Sequence, residues 1–310
     1  MNVHVEGILN SERLAITRAL SFVENAEDLD LSITDLLVQH LGQAYRIGVT
    51  GPPGAGKSSL LDRMIEYWRT QDKKVAVISV DPSSPFTGGA ILGDRVRMGR
   101  HYSDKGVFIR SMATRGSRGG LALRAQDAAD IFDAAGYEII IYETVGVGQV
   151  ELDVADAADT TIVVLVPESG DDIQAMKAGL MEIADLFIIN KSDRQGANQA
   201  AAQIQSMLEM RSYAEGEWHP QVVKTNALAG TGISEMMETL VKHQAFLSET
   251  GIIRKNFQQR IQAKILSHIN RKIQSDFWSV EKINSLEKSL KSEDYRKLGL
   301  VELVNNLLNR

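Results

Sequence analysis

Residues 51–58, GPPGAGKS, have the residue types and spacing of a phosphate-binding loop. They fit the pattern G-x-x-x-x-G-K-[ST], and they lie between a short apolar run and an amphipathic stretch, as that pattern requires. In such a loop the backbone N–H groups turn toward phosphate oxygens, the lysine neutralises the outer phosphates, and the serine hydroxyl oxygen binds Mg²⁺ as a ligand. The residues predicted to bind nucleotide here are Gly51, Pro53, Gly54, Ala55, Gly56, Lys57, Ser58 and Ser59.

The tetrapeptide NKSD at 190–193 indicates which base the nucleotide carries. A carboxylate at Asp193 can accept from both N1–H and the exocyclic amine of guanine, whereas adenine presents the wrong donor and acceptor pattern. Asn and Asp often end strands, so the tetrapeptide alone is weak, but after a phosphate-binding loop it predicts GTP or GDP. The stretch TNALAGTG at 225–232 falls where a second base-contacting loop belongs. The predicted contacts are Asn190, Lys191, Asp193, Asn226, Ala227 and Leu228.

A third feature is ETVGVGQ, where an apolar run ends in Glu143 and is followed by Gly146. In GTPases the corresponding pattern is D-x-x-G, whose glycine amide senses the γ-phosphate. Glu143 has a longer arm that could reach Mg²⁺ directly or through water, and Asp81 at the end of VAVISVD is a second candidate near the metal. Val147 stands where Ras-type GTPases have a glutamine that positions water, and the nearest glutamine is Gln149.

Alternating strand-like and helical runs predict the elements that hold these loops. Strand-like runs at 46–50, 75–80, 107–110, 138–143, 160–166, 186–190 and 221–225 alternate with helical stretches. This alternation predicts an α/β fold with a mainly parallel, doubly wound sheet. Apolar residues at three- and four-residue steps predict a helical N-terminal extension and a helical tail. The expected divisions are 1–42 for the N-terminal helices, 43–250 for the nucleotide-binding domain and 251–310 for the C-terminal helices.

Composition excludes several classes of protein. The 310 residues are 44% hydrophobic and 24% charged, which is typical of a globular chain. The absence of cysteine excludes disulfides, Cys-ligated zinc and thiol catalysis. A net charge of −6 argues against broad nucleic-acid binding. The apolar runs are too short to span a membrane and the N-terminus lacks a secretory pattern, so we expect a cytoplasmic protein without a membrane partner.

Six stretches together resemble the methylmalonyl-CoA mutase-associated GTPases, also called MeaB-type or ArgK-type. They are GPPGAGKS, VDPSSPFTGGAILGDRVRM, MATRGSRGG, ETVGVGQVE, PESGDDIQAMKAG and NKSD, and the likeness spans roughly residues 40–235. The resemblance implies a P-loop NTPase fold and a G protein that chaperones an adenosylcobalamin-dependent acyl-CoA mutase. Such a chaperone gates cofactor loading and protects or reactivates the mutase.

The resemblance also implies roles for individual residues. It assigns Asp81 and Asp94 to a first switch with its metal chemistry, and Glu143 to the metal-linked or catalytic acid of a second. The stretch 168–177 matches a third switch, which in this family signals to the mutase. The implied metal set is Ser58, Asp81, Asp94 and Glu143; the catalytic set is Lys57, Asp94, Glu143 and Gln149; the switch or partner set is Asp171, Asp172, Gln174 and Lys177.

The implied partners follow from the same resemblance. They are the mutase, a cobalamin adenosyltransferase and a second copy of this chain, joined through the C-terminal helices. The chain lacks the D-x-H-x-x-G pattern through which mutases resemble one another in binding cobalamin. Adenosylcobalamin is therefore expected only through the partner, and hydrolysis is expected to be slow alone and faster with the mutase.

Three other readings remain open. An older reading of this family is a kinase or ATPase linked to basic amino-acid transport, although Asp193 argues against ATP. A GTPase that inserts nickel into enzymes would need metal ligands, and this chain has no cysteine and only six histidines. A binding module that never turns over its nucleotide is the third.

Overall fold

The computed structural model describes residues 4–25, 32–81, 99–113, 120–144, 150–168, 180–292, 296 and 298–308. These residues include a single seven-stranded sheet with helices on both faces, which confirms the predicted α/β class. Every strand pairing in the sheet is parallel, and the strand order is β3-β2-β4-β1-β5-β6-β7. The strands are β1 Tyr45–Thr50, β2 Val75–Asp81, β3 Val107–Ala113, β4 Ile139–Thr144, β5 Thr160–Leu165, β6 Leu186–Ile189 and β7 Gln221–Lys224.

The helices include those expected at both ends of the chain. They are α1 Val5–Leu9, α2 Arg13–Asn25, α3 Ser32–Leu37, α4 Lys57–Thr70, α5 Gly120–Ala134, α6 Val150–Ala157, α7 Leu180–Ile183, α8 Ala197–Glu209, α9 Ile233–Glu249, α10 Ile252–Phe277, α11 Val280–Lys291 and α12 Leu300–Leu308. Short 3₁₀ turns cover Val38–His40 and Gly99–His101.

The central strands are buried on both faces, which is why their sequences are nearly continuous apolar runs. Alternate residues of β4 point to opposite layers. Ile140 and Tyr142 pack with α5 and the N-terminal helices, whereas Ile139 and Ile141 pack with α4 and α9. The N-terminal helices therefore belong to the apolar layer on one face of the sheet, where α2 and α3 contact α5.

The chain divides into two compact units, Met1–Arg260 and Ile261–Arg310. The first holds the sheet, and its buried Arg46 guanidinium lies 2.8 Å from Asp130 and 3.3 Å from Asp133. The second consists of the remainder of α10 with α11 and α12, and the last two helices contact each other.

None of the helices in the described ranges is both long and apolar enough to cross a lipid bilayer.

Candidate functional site

The phosphate-binding loop connects β1 to α4 at the carboxyl edge of the sheet, and it depends on glycine. Gly51 and Gly56 have φ angles of 137° and 90°, in the region that disfavours other residues. A Cβ at Gly51 would overlap the carbonyl of Val164, and one at Gly56 would overlap the carboxamide of Asn190. The glycine spacing therefore sets both the turn and the close approach of neighbouring strands.

Lys57 and Ser58 begin α4, so the first N–H groups of that helix lie next to the loop. The Nζ atom of Lys57 donates to the carbonyls of Gly51 at 2.7 Å and Pro52 at 3.0 Å. The lysine is thus folded across its own loop, and its charge and the helix N-terminus provide the positive potential that phosphate needs.

Glu143 and Ser58, which the sequence places 85 residues apart, meet in the structure. Ser58 Oγ donates to Glu143 Oε1 at 2.7 Å, and Ser79 Oγ donates to Oε2 at 3.1 Å. All three residues are buried. The parallel register explains the meeting, because Glu143 pairs with Val49 of β1 and with Ser79 of β2. A carboxylate beside a hydroxyl at this edge is a set of hard oxygen ligands suited to Mg²⁺.

Asn190 follows β6 and joins three segments of the site. Its Nδ2 atom donates to Ala55 O at 2.8 Å, within the phosphate-binding loop. Its Oδ1 atom accepts from Ala227 N at 3.1 Å and from Thr225 Oγ1 at 3.2 Å. The side chain is therefore a buried link between the phosphate-binding loop and residues 225–232.

Asp193 and Asn226 form the exposed part of the same corner. Asn226 Nδ2 donates to Asp193 Oδ1 at 2.8 Å, and Lys191, the second residue of NKSD, has a φ of 56°. Residues 225–232, which we call the base loop, are closed by an antiparallel bridge between Asn226 and Thr231. Leu228 at the tip is 83% exposed. The structure thus brings NKSD and the base loop together.

Two residues in this region were not predicted from the sequence. Ser79 appears there as one polar residue in an apolar strand, and only the parallel register reveals that it contacts Glu143. Arg63 of α4 donates to the carbonyls of Ala227 and Leu228, both at 2.9 Å. No spacing rule links Arg63 to a loop that lies 164 residues further along the chain.

Of the remaining residues singled out in the sequence, Asp81 and Glu168 lie in the described part of the chain and the others do not. Asp81 ends β2 at the same edge of the sheet. Glu168, at the start of the predicted third switch, forms a 2.7 Å ion pair with Arg194, and that guanidinium lowers the pKa of the carboxyl. The residues outside the described ranges are Asp94, Gly146, Gln149, Asp171, Asp172, Gln174 and Lys177.

Residues 16–282 match the family model described as "Methylmalonyl Co-A mutase-associated GTPase MeaB". The chain belongs to this MeaB family of GTPases. The membership confirms the resemblance drawn from the six motifs, and it supports binding of GTP or GDP.

Similar proteins span most of this MeaB-family chain. A putative GTPase of Pyrococcus abyssi is 48% identical over 263 residues, which are 84% of this chain and 81% of that protein. The mitochondrial methylmalonic aciduria type A homolog of Mus musculus is 32% identical over 84% of this chain and 69% of its own length. A crystal structure described as an LAO/AO transport system kinase aligns with a TM-score of 0.74 at 27% identity, covering 98% of this chain and 95% of that one.

Proposed function

We propose that this MeaB-family GTPase binds guanine nucleotide between the phosphate-binding loop and the base loop, and that it hydrolyses GTP to GDP and phosphate. The observation that carries the proposal is the buried side chain of Asn190, which bonds to both loops at once. Lys57 and the N-terminus of α4 would meet the phosphates. Asp193, oriented by Asn226, would accept from guanine N1–H and the exocyclic amine.

Mg²⁺ would bind next to Ser58 and Glu143, whose oxygen atoms already lie together at 2.7 Å. When bound, the ion would offset charge on the phosphate oxygens. Ser58 would turn its hydroxyl toward the ion, while Ser79 keeps hold of the other carboxylate oxygen of Glu143. Asp81 and Asp94 complete the proposed set.

A competition assay tests the choice of base. We expect GTP to displace a fluorescent guanine nucleotide, and ATP at the same concentration not to displace it. A transport-linked kinase or ATPase is the second candidate, because the aligned crystal structure carries that description. Equal displacement by ATP would remove the guanine assignment and favour this second candidate.

The partner we propose is an adenosylcobalamin-dependent acyl-CoA mutase, and the name of the family supports this choice. The chain would work in the cytoplasm as its chaperone, gating cofactor loading and protecting or reactivating it. Adenosylcobalamin would come only with the partner, and a cobalamin adenosyltransferase is a further proposed partner. The third switch, with Asp171, Asp172, Gln174 and Lys177, would carry the signal.

Hydrolysis is proposed to be slow alone, because Val147 can neither orient nor deprotonate water. The docked mutase would bring Gln149, Glu143 or a basic residue such as Arg95 toward the phosphates. Single-turnover GTP cleavage with and without the mutase tests this, in wild type and in Gln149→Ala. Fast unaided cleavage, or a rate indifferent to the mutase, would contradict the proposal. Normal stimulation of Gln149→Ala would clear Gln149 and leave Glu143 and the arginines as candidates.

A second copy of this chain is proposed to pack on the C-terminal unit. In α12, Leu300, Val301 and Val304 are each more than half exposed. Burying this apolar face against a second copy would remove it from water. Val301→Glu should therefore shift the mass measured by light scattering from dimer to monomer. A monomeric wild type would overturn the proposal.

A further inference from the structure

Arg63 reaches from α4 to the base loop with a forked pair of hydrogen bonds. Its Nε atom donates to Ala227 O and its Nη2 atom donates to Leu228 O, both at 2.9 Å. Its Nη1 atom donates to Glu66 Oε2 at 3.1 Å, one turn along the same helix. Because the guanidinium is planar and rigid, it can satisfy two consecutive carbonyls at once, which a lysine ammonium does less well.

Of the two carbonyls that Arg63 holds, one belongs to buried Ala227 and the other to exposed Leu228. Leu228 projects to solvent, so its side chain contributes little burial that could fix the tip of the loop. Elsewhere in the loop, Ala227 N donates to buried Asn190, and Asn226 donates to Asp193 at the exposed part of the corner. Arg63 therefore holds the base loop from α4, through carbonyls, whereas Asn190 holds it from the end of β6, through the N–H of Ala227.

We infer that Arg63 is a positioning residue for guanine discrimination. The inference rests on the proposed guanine site, because it assumes that Asp193 and the base loop read the base. Without the hydrogen bonds from Arg63, the loop would move away from α4, and Asn226 would hold the Asp193 carboxylate less well. Among the described residues, the hydrogen-bond partners of Arg63 are Ala227, Leu228 and Glu66, and none of them belongs to the phosphate-binding loop. The part of the nucleotide affinity that comes from phosphate contacts should therefore persist.

The test compares two competitors on folded protein. Dissociation constants of GDP and ADP are measured by displacement of a fluorescent methylanthraniloyl-GDP from wild type, Arg63→Gln and Arg63→Lys. Loss of one or two hydrogen bonds predicts that the preference for GDP over ADP falls about tenfold in Arg63→Gln. The loss in Arg63→Lys should be smaller, because an ammonium can still donate to one carbonyl. A ratio of affinities is used because a partly unfolded sample lowers the active fraction without changing the ratio.

Glu66→Gln is the matched control, since it changes the third partner of Arg63 and leaves both loop carbonyls untouched. Its preference for GDP should stay within about twofold of wild type. An unchanged preference in folded Arg63→Gln, or equal losses for GDP and ADP, would overturn the inference alone. If Arg63→Gln fails to fold, the same comparison is decided by Arg63→Lys. A wild type without preference for GDP would instead overturn the proposed guanine site, and the inference with it.

Discussion

Replacing Asn190 with alanine should separate the phosphate-binding loop from the base loop. The substitution removes three hydrogen bonds, at 2.8, 3.1 and 3.2 Å, and leaves Ala55 O and Ala227 N without this partner in a buried place. Each bond contributes about 1 kcal/mol net, so the loss is about 3 kcal/mol. If both loops must become ordered again when nucleotide binds, this free-energy cost lowers the affinity for nucleotide. The dissociation constant for GDP should then rise about 100-fold.

The assay is a titration of methylanthraniloyl-GDP, paired with urea unfolding of the same variant. Any part of the loss that falls on the free energy of unfolding will reduce the part seen in affinity, so both are measured. Thr225→Val is the matched control, because it removes only the 3.2 Å bond to Asn190. It should weaken GDP binding about fivefold. Binding within about threefold of wild type, in an Asn190→Ala variant whose free energy of unfolding is also unchanged, would refute the reasoning.

Three further predictions concern charged side chains. Lys57→Ala should weaken GTP binding at least about tenfold, because charge-assisted contacts contribute about 1.5–3 kcal/mol each; wild-type affinity in a titration would show that the loop does not hold phosphate. Asp193→Asn should shift preference in a competition assay from GTP toward xanthosine triphosphate, whose 2-oxo group suits an amide donor; unchanged GTP affinity would contradict this. Arg46→Met should lower the free energy of unfolding in urea by about 3–5 kcal/mol, since it removes the buried cation that faces the carboxylates of Asp130 and Asp133; a loss below about 1 kcal/mol would count against it.

Local patterns were sufficient to predict the sheet and the loops at its edge. The central strands are nearly continuous apolar runs. The glycines of the phosphate-binding loop have positive φ angles, and the spacing of the motif predicts glycine at these positions. Asn190 and Asp193 could be placed at the end of β6 because the strand that precedes them is unbroken. These predictions needed only residues that lie near one another in sequence.

Contacts across the sheet could not be predicted in the same way. The bond from Ser79 to Glu143 spans 64 residues and exists because β2 and β4 are neighbours in a particular register. The bond from Arg63 to Ala227 spans 164 residues and depends on where α4 and the base loop settle. Strand order is set by packing of the whole domain, so a sequence pattern within one segment carries no information about these partners.

Ala227 shows how the two sides of the site are mechanically connected. Its N–H is held by Asn190 and its carbonyl by Arg63, so both braces act on one buried residue of the base loop. Residues that share a partner are expected to interact energetically. In the Asn190→Ala variant the base loop is already less ordered. Substitution of Arg63 in that variant should therefore reduce GDP affinity by less than it does in wild type. The loss in GDP affinity of the double variant Asn190→Ala, Arg63→Lys should therefore be smaller than the sum of the single losses. Strict additivity in this cycle would mean that the two side chains hold separate parts of the site, and that Ala227 does not transmit order from one loop to the other.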